Sequence, residues 1–169
     1  MYKAEIQVYP EYFKHYLSLV KETNLLAAMK ERTDNILGFY MSIPDEKWDY
    51  SYAEGKWSIK KMVRHIIDSE LVFLYRAMSI ARGEKQALLG FDESSYAEHI
   101  DESVLTKDIL LNSLTIQALY TYDFFKYMSK DDFLKVGNAN RSYVSVGAIG
   151  YAIVGHDYHH RIKLNELYI

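Results

Sequence analysis

The sequence predicts an all-α protein, a four-helix bundle with long connectors between its helices. Four long segments place apolar residues at the spacing of a helix face, whereas the period-two alternation typical of a sheet is scarce. The only two prolines, Pro10 and Pro44, lie where a helix starts and where one has stopped. With 169 residues, 49% of them apolar, the chain can build a sizeable core, and we predict one domain over residues 1–169.

The first half of the chain contains two of these segments. Residues 11–43 have a helical pattern, either as one helix or as two that break near Thr23, a candidate N-cap. The second segment begins after Ser58, whose hydroxyl suits an N-cap, and stops at Gly83.

The second half holds the other two segments and both connectors. The third helix is predicted from about Ser103 to Met128, and the fourth from Ser145 nearly to the last residue. Residues 86–103 form a connector long enough to cross the end of a bundle. Residues 129–143 form a second connector, in which glycine and asparagine predict a turn and no sheet is expected.

Composition excludes several classes of protein. The formal charge of −3 and the scattered basic residues argue against a nucleic-acid partner, which usually requires a basic stripe. No apolar run approaches the roughly 18 residues that span a bilayer, and the first residues lack a signal-peptide core. We therefore predict a soluble, cytoplasmic protein with no membrane partner. The absence of cysteine removes disulfides, thiolate nucleophiles and cysteine zinc sites.

Three of the six histidines crowd the stretch "GHDYHH" in the last predicted helix. On a helical wheel, His156 and His160 lie one turn apart within or beside the apolar arc, and His159 lies about 80° outside it. Two buried imidazoles cost free energy unless their ring nitrogens find partners, and one divalent cation would bind both. Core hydrogen bonds or a wet cavity are the alternative. Two histidines are only half a site, so a third ligand must come from another helix.

Three histidines elsewhere could supply that ligand. His99 falls in a connector, and His15 falls in an N-terminal segment rich in solvated residues. His65 lies on the second predicted helix, but the wheel places it about 60° outside the apolar arc, which predicts a surface or half-buried position. Glu70 lies in the middle of that arc and must be paired if buried. We expect an arginine partner, with support of a metal-binding histidine as the alternative.

Three stretches together resemble the DinB superfamily, in particular its YfiT-like branch. They are "GKWSIKKMVRHIIDSELVFLYRAMSIARGE", "LLGFDESSYAEH" and "GNANRSYVSVGAIGYAIVGHDYHHRIKLNELY", and the first 40 residues match only in general character. The resemblance implies a four-helix bundle, often a homodimer, that binds a divalent nickel or zinc ion. It implies His65, His156 and His160 as the metal ligands, and His159 as part of the pattern without being a ligand.

The resemblance also implies a chemistry. Three neutral imidazoles leave an ion its full charge and an open position, so that it can lower the pKa of water or bind a thiolate. Family members are described as metal-dependent hydrolases or as S-transferases that use bacillithiol or a related small thiol. Both act on a small-molecule substrate, and the residues do not separate them. A non-catalytic binding or dimerisation module with a structural metal is the alternative, although three candidate ligands favour an open site.

A general base would assist either reaction. Asp68 and Ser69 follow His65 by about one turn, and Asp92 lies in the family-like stretch "GFDE". Both carboxylates are candidates for this role, and surface or helix-capping positions are the alternative. Arg76 is expected either to meet an anionic substrate or to pair at the surface.

Overall fold

The protein is described by a computed structural model of residues 1–169. Its helices are α1 (Phe13–Leu19), α2 (Leu25–Met41), α3 (Ile59–Ala81), α4 (Glu93–Glu98), α5 (Lys107–Lys126), α6 (Lys130–Leu134) and α7 (Val146–Leu167), and its strands are β1 (Val136–Ala139) and β2 (Ser142–Ser145). The long helices α2, α3, α5 and α7 form the predicted four-helix bundle, which is confirmed. In this bundle α3 lies beside α5 and α7, α2 lies beside the same two helices, and α1 packs along α7. None of the helices combines the length and the apolarity that crossing a membrane requires.

Side-chain caps set where the long helices begin. The hydroxyls of Ser58 and Ser145 accept backbone N–H groups at the starts of α3 and α7, as predicted. Residues 11–43 form two helices, but the cap of the second is Asn24 and not Thr23. The predicted start of the third helix is also wrong, because Thr106 caps α5.

The core is divided into two apolar clusters. Along each of the four long helices, the residues of one cluster are separated from those of the other by a buried polar side chain. These separating residues are Arg32 on α2, Glu70 on α3, Thr121 on α5 and Asp157 on α7, all at most 2% exposed. Polar side chains therefore cross the bundle at one level, with an apolar core on either side.

The second connector contains a small β-hairpin, so the expectation of no sheet was wrong at this point. Strands β1 and β2 pair antiparallel, and Asn140 and Arg141 connect them with φ angles of 51° and 62°. Positive φ at both central residues is typical of the tight turn whose twist suits a hairpin. Leu88 binds the hairpin through its N–H to Asn138 O at 2.9 Å and its carbonyl to Asn140 N at 3.0 Å. These bonds fix the α3–α4 connector beside the bundle.

Candidate metal centre

Two helices supply three histidines to one buried cluster. His65 comes from α3, His156 and His160 come from α7, and the three are 8%, 6% and 7% exposed. The surface position that the helical wheel predicted for His65 is wrong. The wheel failed because α3 packs against both α5 and α7, and because the Trp57 ring lies 5.0 Å from the His65 ring between centroids.

The ring nitrogens of this cluster converge. Nε2 of His156 lies 3.3 Å from Nε2 of His65 and 3.0 Å from Nε2 of His160. One donor nitrogen from each of the three rings lies within 4.8 Å of the others. Four ligands at 2.0–2.1 Å around a tetrahedral ion are about 3.3 Å apart, which is close to the two Nε2 separations of 3.3 and 3.0 Å. A neutral ring nitrogen carries one proton or one lone pair, so His156 Nε2 cannot form a linear hydrogen bond to both neighbours.

The protonation of the cluster suits metal binding. Burial lowers the pKa of His65 to about 4, despite the opposing charge of Asp68. Burial, together with repulsion between the rings, lowers the pKa of His156 and of His160 well below the usual value. The three imidazoles are therefore neutral at pH 7, the form that coordinates a divalent ion. The Nδ1 atom of His65 lies 3.4 Å from Ser69 Oγ, whereas the buried Nδ1 atom of His160 has no hydrogen-bond partner.

A cavity of about 490 Å³ opens beside the cluster. One face of α3 lines it, with His65, Ser69, Phe73 and Arg76 at intervals of one helical turn. The other lining residues include the aromatic Tyr12, Tyr16, Trp57 and Phe91 and the polar Glu93, Asn140, His159 and Lys163. The cluster is thus accessible to a small molecule held against aromatic rings.

Helix α1 closes one side of this cavity, and a glycine allows it to do so. The Tyr16 ring packs edge-on against His156, with 5.4 Å between centroids. A Cβ atom on Gly155 would lie 2.0 Å from the backbone oxygen of Tyr16, so only glycine permits this approach of α1 to α7. The sequence reasoning did not single out Gly155, although it directly precedes the histidines.

The remaining histidines lie outside the cluster. His159 lines the cavity, and its Nδ1 atom lies 3.0 Å from Nε2 of His15. Burial lowers the pKa of His159 to about 4. The exposed His99 lies at the end of α4, with its Nδ1 atom 2.7 Å from the carbonyl oxygen of Ser95.

The structure does not bring the two candidate bases to the cluster. The carboxylate of Asp68 pairs with Arg64 at 2.7 Å. The carboxylate of Asp92 accepts the N–H groups of Ser94 and Ser95 at 3.1 and 3.0 Å and so caps α4. Neither residue lines the cavity.

Glu70 has the arginine partner that the sequence predicted, which confirms that expectation. Arg32 donates to both oxygens of Glu70, at 3.1 and 2.5 Å, and its Nε atom lies 3.4 Å from Oδ2 of Asp157. Arg161 reaches the same Oδ2 at 2.5 Å. We call Arg32, Glu70, Asp157 and Arg161 the ion-pair layer. Two hydroxyls complete it, since Tyr40 donates to Asp157 at 2.9 Å and Thr121 donates to Glu70 at 2.6 Å.

Arg76 differs from the arginines of that layer. It is 4% exposed, so a surface position is excluded, and none of the ion pairs of the protein includes it. The only hydrogen bond of its side chain runs from Nη2 to the carbonyl of Leu89 at 2.8 Å, and its buried Nε atom has no partner. Burial without a facing carboxylate lowers the pKa of this guanidinium from its usual value.

Fold and cluster together define a helical-bundle protein with a candidate metal centre. Residues 28–162 match the family model of the DinB superfamily. The chain belongs to this superfamily, as its sequence motifs predicted.

Two curated relatives match part of the chain. A protein of Oceanobacillus iheyensis is 32% identical over 63 residues, and one of Geobacillus thermodenitrificans is 26% identical over 76 residues. The matched segments cover 37% and 45% of this chain, but only 36% and 43% of the relatives' own lengths. Each relative is named a "Putative metal-dependent hydrolase".

Three solved structures share the fold. One is YfiT from Bacillus subtilis, which is described as a probable metal-dependent hydrolase with an unusual four-helix bundle topology. It has a TM-score of 0.69 at 18% identity, and the match covers 95% of this chain and 88% of the YfiT chain. A mycothiol-dependent maleylpyruvate isomerase has a TM-score of 0.66 at 14% identity, and the match covers 83% of this chain and 59% of the isomerase chain. A DinB-like protein from Bacillus subtilis has a TM-score of 0.57 at 16% identity, covering 85% and 89%. At these identities the likeness establishes the fold alone.

Proposed function

We propose that this protein is a metal-dependent hydrolase whose divalent ion, zinc or nickel, is held by His65, His156 and His160. The observation that carries the proposal is the convergence of three buried, neutral imidazoles, whose Nε2 atoms lie 3.0 and 3.3 Å apart in the two closest pairs. The names of the curated relatives support the same class of activity.

The donor set fits such an ion. Imidazole nitrogens suit zinc and nickel, and three neutral ligands leave both the charge of the ion and at least one coordination position available. A bound ion of this kind supplies Lewis acidity and lowers the pKa of water to around 7.

The chain itself positions the reactants. The ion-pair layer holds α3 and α7 together at the level of the cluster, because Arg32 binds Glu70 of α3 and Asp157 of α7. Tyr16, Trp57 and Phe73 lie against the histidines and offer apolar surface that can receive the apolar part of a substrate. Rigid histidines and an apolar wall are what an open metal site needs from its protein.

Elemental analysis of the purified, tag-free protein tests the proposal. We expect about one zinc or nickel ion per chain, and its loss in His65→Ala, His156→Ala and His160→Ala. His159→Ala is the matched control, because His159 lines the same cavity outside the cluster, and it should keep the ion. An unmetallated wild type after reconstitution with zinc and nickel, or equal metal loss in the control, would contradict the proposal. With metal established, ester and amide hydrolysis by loaded and chelated protein tests turnover.

A second cavity favours thiol S-transfer as another candidate function. It measures about 310 Å³ and shares Trp57, His160 and Lys163 with the first cavity, so His160 is reached from two sides. Two approaches suit a two-substrate reaction between a small thiol such as bacillithiol and an electrophile. One protein of similar fold is mycothiol-dependent.

Filling one cavity separates the two functions. Leu167 lines only the second cavity, so Leu167→Trp should abolish metal-dependent conjugation of bacillithiol to an electrophile and leave ester hydrolysis unchanged. If Leu167→Trp conjugates bacillithiol as fast as the wild type does, the second cavity does not bind the thiol.

We further propose that the chain forms a homodimer, as the resemblance implies. Support comes from α5 and the residue that follows it, since Ile116 and Tyr120 of α5 are 60% and 61% exposed and Tyr127 is 75% exposed. Analytical ultracentrifugation should give a dimer for the wild type and a monomer for Ile116→Glu, and a monomeric wild type would contradict the proposal. A cytoplasmic location stays a prediction.

A further inference from the structure

Arg76 lies on the same face of α3 as the metal-binding candidate His65. The two residues are eleven positions apart, which is a rise of about 16 Å along one face of a helix. Ser69 and Phe73 lie between them, and all four residues line the cavity of about 490 Å³. A molecule that reaches from the histidines to Arg76 is therefore several bonds long and passes over the Phe73 ring.

The guanidinium is buried, held in place and unpaired. It is fixed by the Leu89 carbonyl at 2.8 Å and by the Phe91 ring, whose centroid lies 5.9 Å from Cζ. No carboxylate forms an ion pair with it, whereas every other buried charge at the centre of the bundle has an opposite charge beside it. The one acidic residue of the cavity wall, Glu93, is exposed and forms no ion pair.

A purely structural role does not account for this arrangement. Holding the Leu89 carbonyl needs one N–H donor, which an uncharged side chain supplies without the cost of burying a charge. Arginine adds further N–H groups in a planar fork that matches the two oxygens of a carboxylate. The path runs over the apolar ring of Phe73, which lies 6.0 Å from the His156 ring between centroids, and ends beside the ring of Phe91, so it suits a substrate body that is not itself charged.

We propose that Arg76 is the specificity residue of this cavity and binds the carboxylate of an elongated, largely apolar substrate whose other end reaches the three histidines. The inference deepens the proposed function and rests on it for the identity of the reacting end. The carboxylate subsite itself consists of residues that do not touch the histidine nitrogens, so it can be measured without metal.

A matched pair of ligands tests the subsite. The probes are 4-phenylbutyrate and 4-phenylbutanamide, which have the same length and shape and differ in charge. Calorimetric titration of the full chain in the presence of a chelator keeps the carboxylate from binding a metal ion, and a second titration uses the zinc-loaded protein. We expect the carboxylate to bind at least about tenfold more tightly than the amide, because hydrogen bonds between charged groups are roughly twice as strong as those between neutral groups.

Variants assign that preference to one residue. In Arg76→Met the preference should fall to about twofold or less, and Arg76→Lys, which keeps the charge and a donor for Leu89, should retain part of it. Lys163→Met is the matched control, since Lys163 is a cation of the same cavity that is exposed, and it should keep most of the preference. Circular dichroism checks that each variant is folded.

Three results would overturn the proposal. The first is equal binding of the two probes to the wild type. The second is no binding of the carboxylate at concentrations up to about 10 mM, which exceeds the dissociation constant expected of one charged contact. The third is an unchanged preference in folded Arg76→Met. The wild-type comparison stands even where a variant does not fold. If the protein prefers the carboxylate but binds no metal, the Arg76 subsite is supported and the metal proposal is contradicted. If it binds metal but does not prefer the carboxylate, the metal proposal is supported and the Arg76 subsite is contradicted.

Discussion

The ion-pair layer and the histidine cluster lie at the same level of the bundle, and both are buried polar groups, yet they are satisfied differently. In the layer, Arg32 and Arg161 each have a carboxylate oxygen at 2.5 Å and the charges balance, although Arg32 Nε, Asp157 Oδ2 and two nitrogens of Arg161 make no well-aligned hydrogen bond. In the cluster, neutral rings turn their nitrogens toward one another, and Nδ1 of His160 has no partner. The comparison teaches that buried charges which neutralise one another hold a fold together, whereas neutral ring nitrogens that converge on one point are available to a ligand.

Breaking the layer should give the largest effect. Asp157→Ala removes the partner of Tyr40, Arg32 and Arg161 at a position that is fully buried. Leaving buried charges unpaired costs about 3–5 kcal/mol, so we expect the free energy of unfolding in urea to fall by that amount. Asp157→Asn keeps the size of the side chain, so its free energy of unfolding should fall by less than that of Asp157→Ala. A loss below about 1 kcal/mol in the alanine variant would contradict a structural role for the layer.

Acid should lower the free energy of unfolding of the metal-free protein, because the histidines of the cluster are buried in their neutral form. The folded state holds the pKa of His65 at about 4, below the unfolded value of 6.5, so between these pH values the unfolded chain binds more protons. Stability is therefore lost as pH falls from about 6.5 to 4, by on the order of 3 kcal/mol for this residue.

Urea unfolding at several pH values, with a chelator present, measures this loss. His65→Ala should show a shallower dependence on pH over the same window. An equally steep dependence in this variant would show that other groups control the acid response.

Forcing α1 and α7 apart should have an intermediate effect. Gly155→Ala places a methyl group against the backbone oxygen of Tyr16, and overpacking of this kind costs about 1–3 kcal/mol. The matched control is Gly38→Ala on α2, where a Cβ atom meets nothing within 4 Å and alanine favours the helix. Thermal unfolding should show a lower midpoint for the first variant and an unchanged or higher one for the second. Equal midpoints would mean that α1 shifts without cost.

The smallest effect should come from removing a histidine in the absence of metal. His65→Ala deletes a neutral ring whose nearest polar contacts are 3.3 Å and longer, so we expect a loss of about 1 kcal/mol at pH 7. Urea unfolding of metal-free protein measures it, beside Asp157→Ala. A loss as large as that of the aspartate variant would remove the distinction between the two regions.

Local signals made much of the fold predictable. A hydroxyl residue before an apolar periodic segment marked the starts of α3 and α7 at Ser58 and Ser145. The hairpin was not predicted because β1 and β2 have four residues each, too few to establish an alternating pattern.

The site was harder to predict because it depends on more than one helix. Spacing alone placed His156 and His160 on the inner face, since both belong to α7. It could not place His65, whose burial comes from α7 and from Trp57, or show that Arg32 and Asp157 would meet Glu70. Family resemblance identified His65 as a candidate ligand. A helical wheel describes one helix at a time, so it cannot predict pairing between side chains of different helices.

The wall formed by α1 has a kinetic consequence. This helix has seven residues and only two buried anchors, Phe13 and Leu17, whereas α3 and α7 are 23 and 22 residues long. Short elements with few buried contacts open more often than the bundle unfolds. We therefore expect amide hydrogens of α1 to exchange earlier than those of α3 and α7, and the residence time of a bound molecule to depend on how often α1 opens.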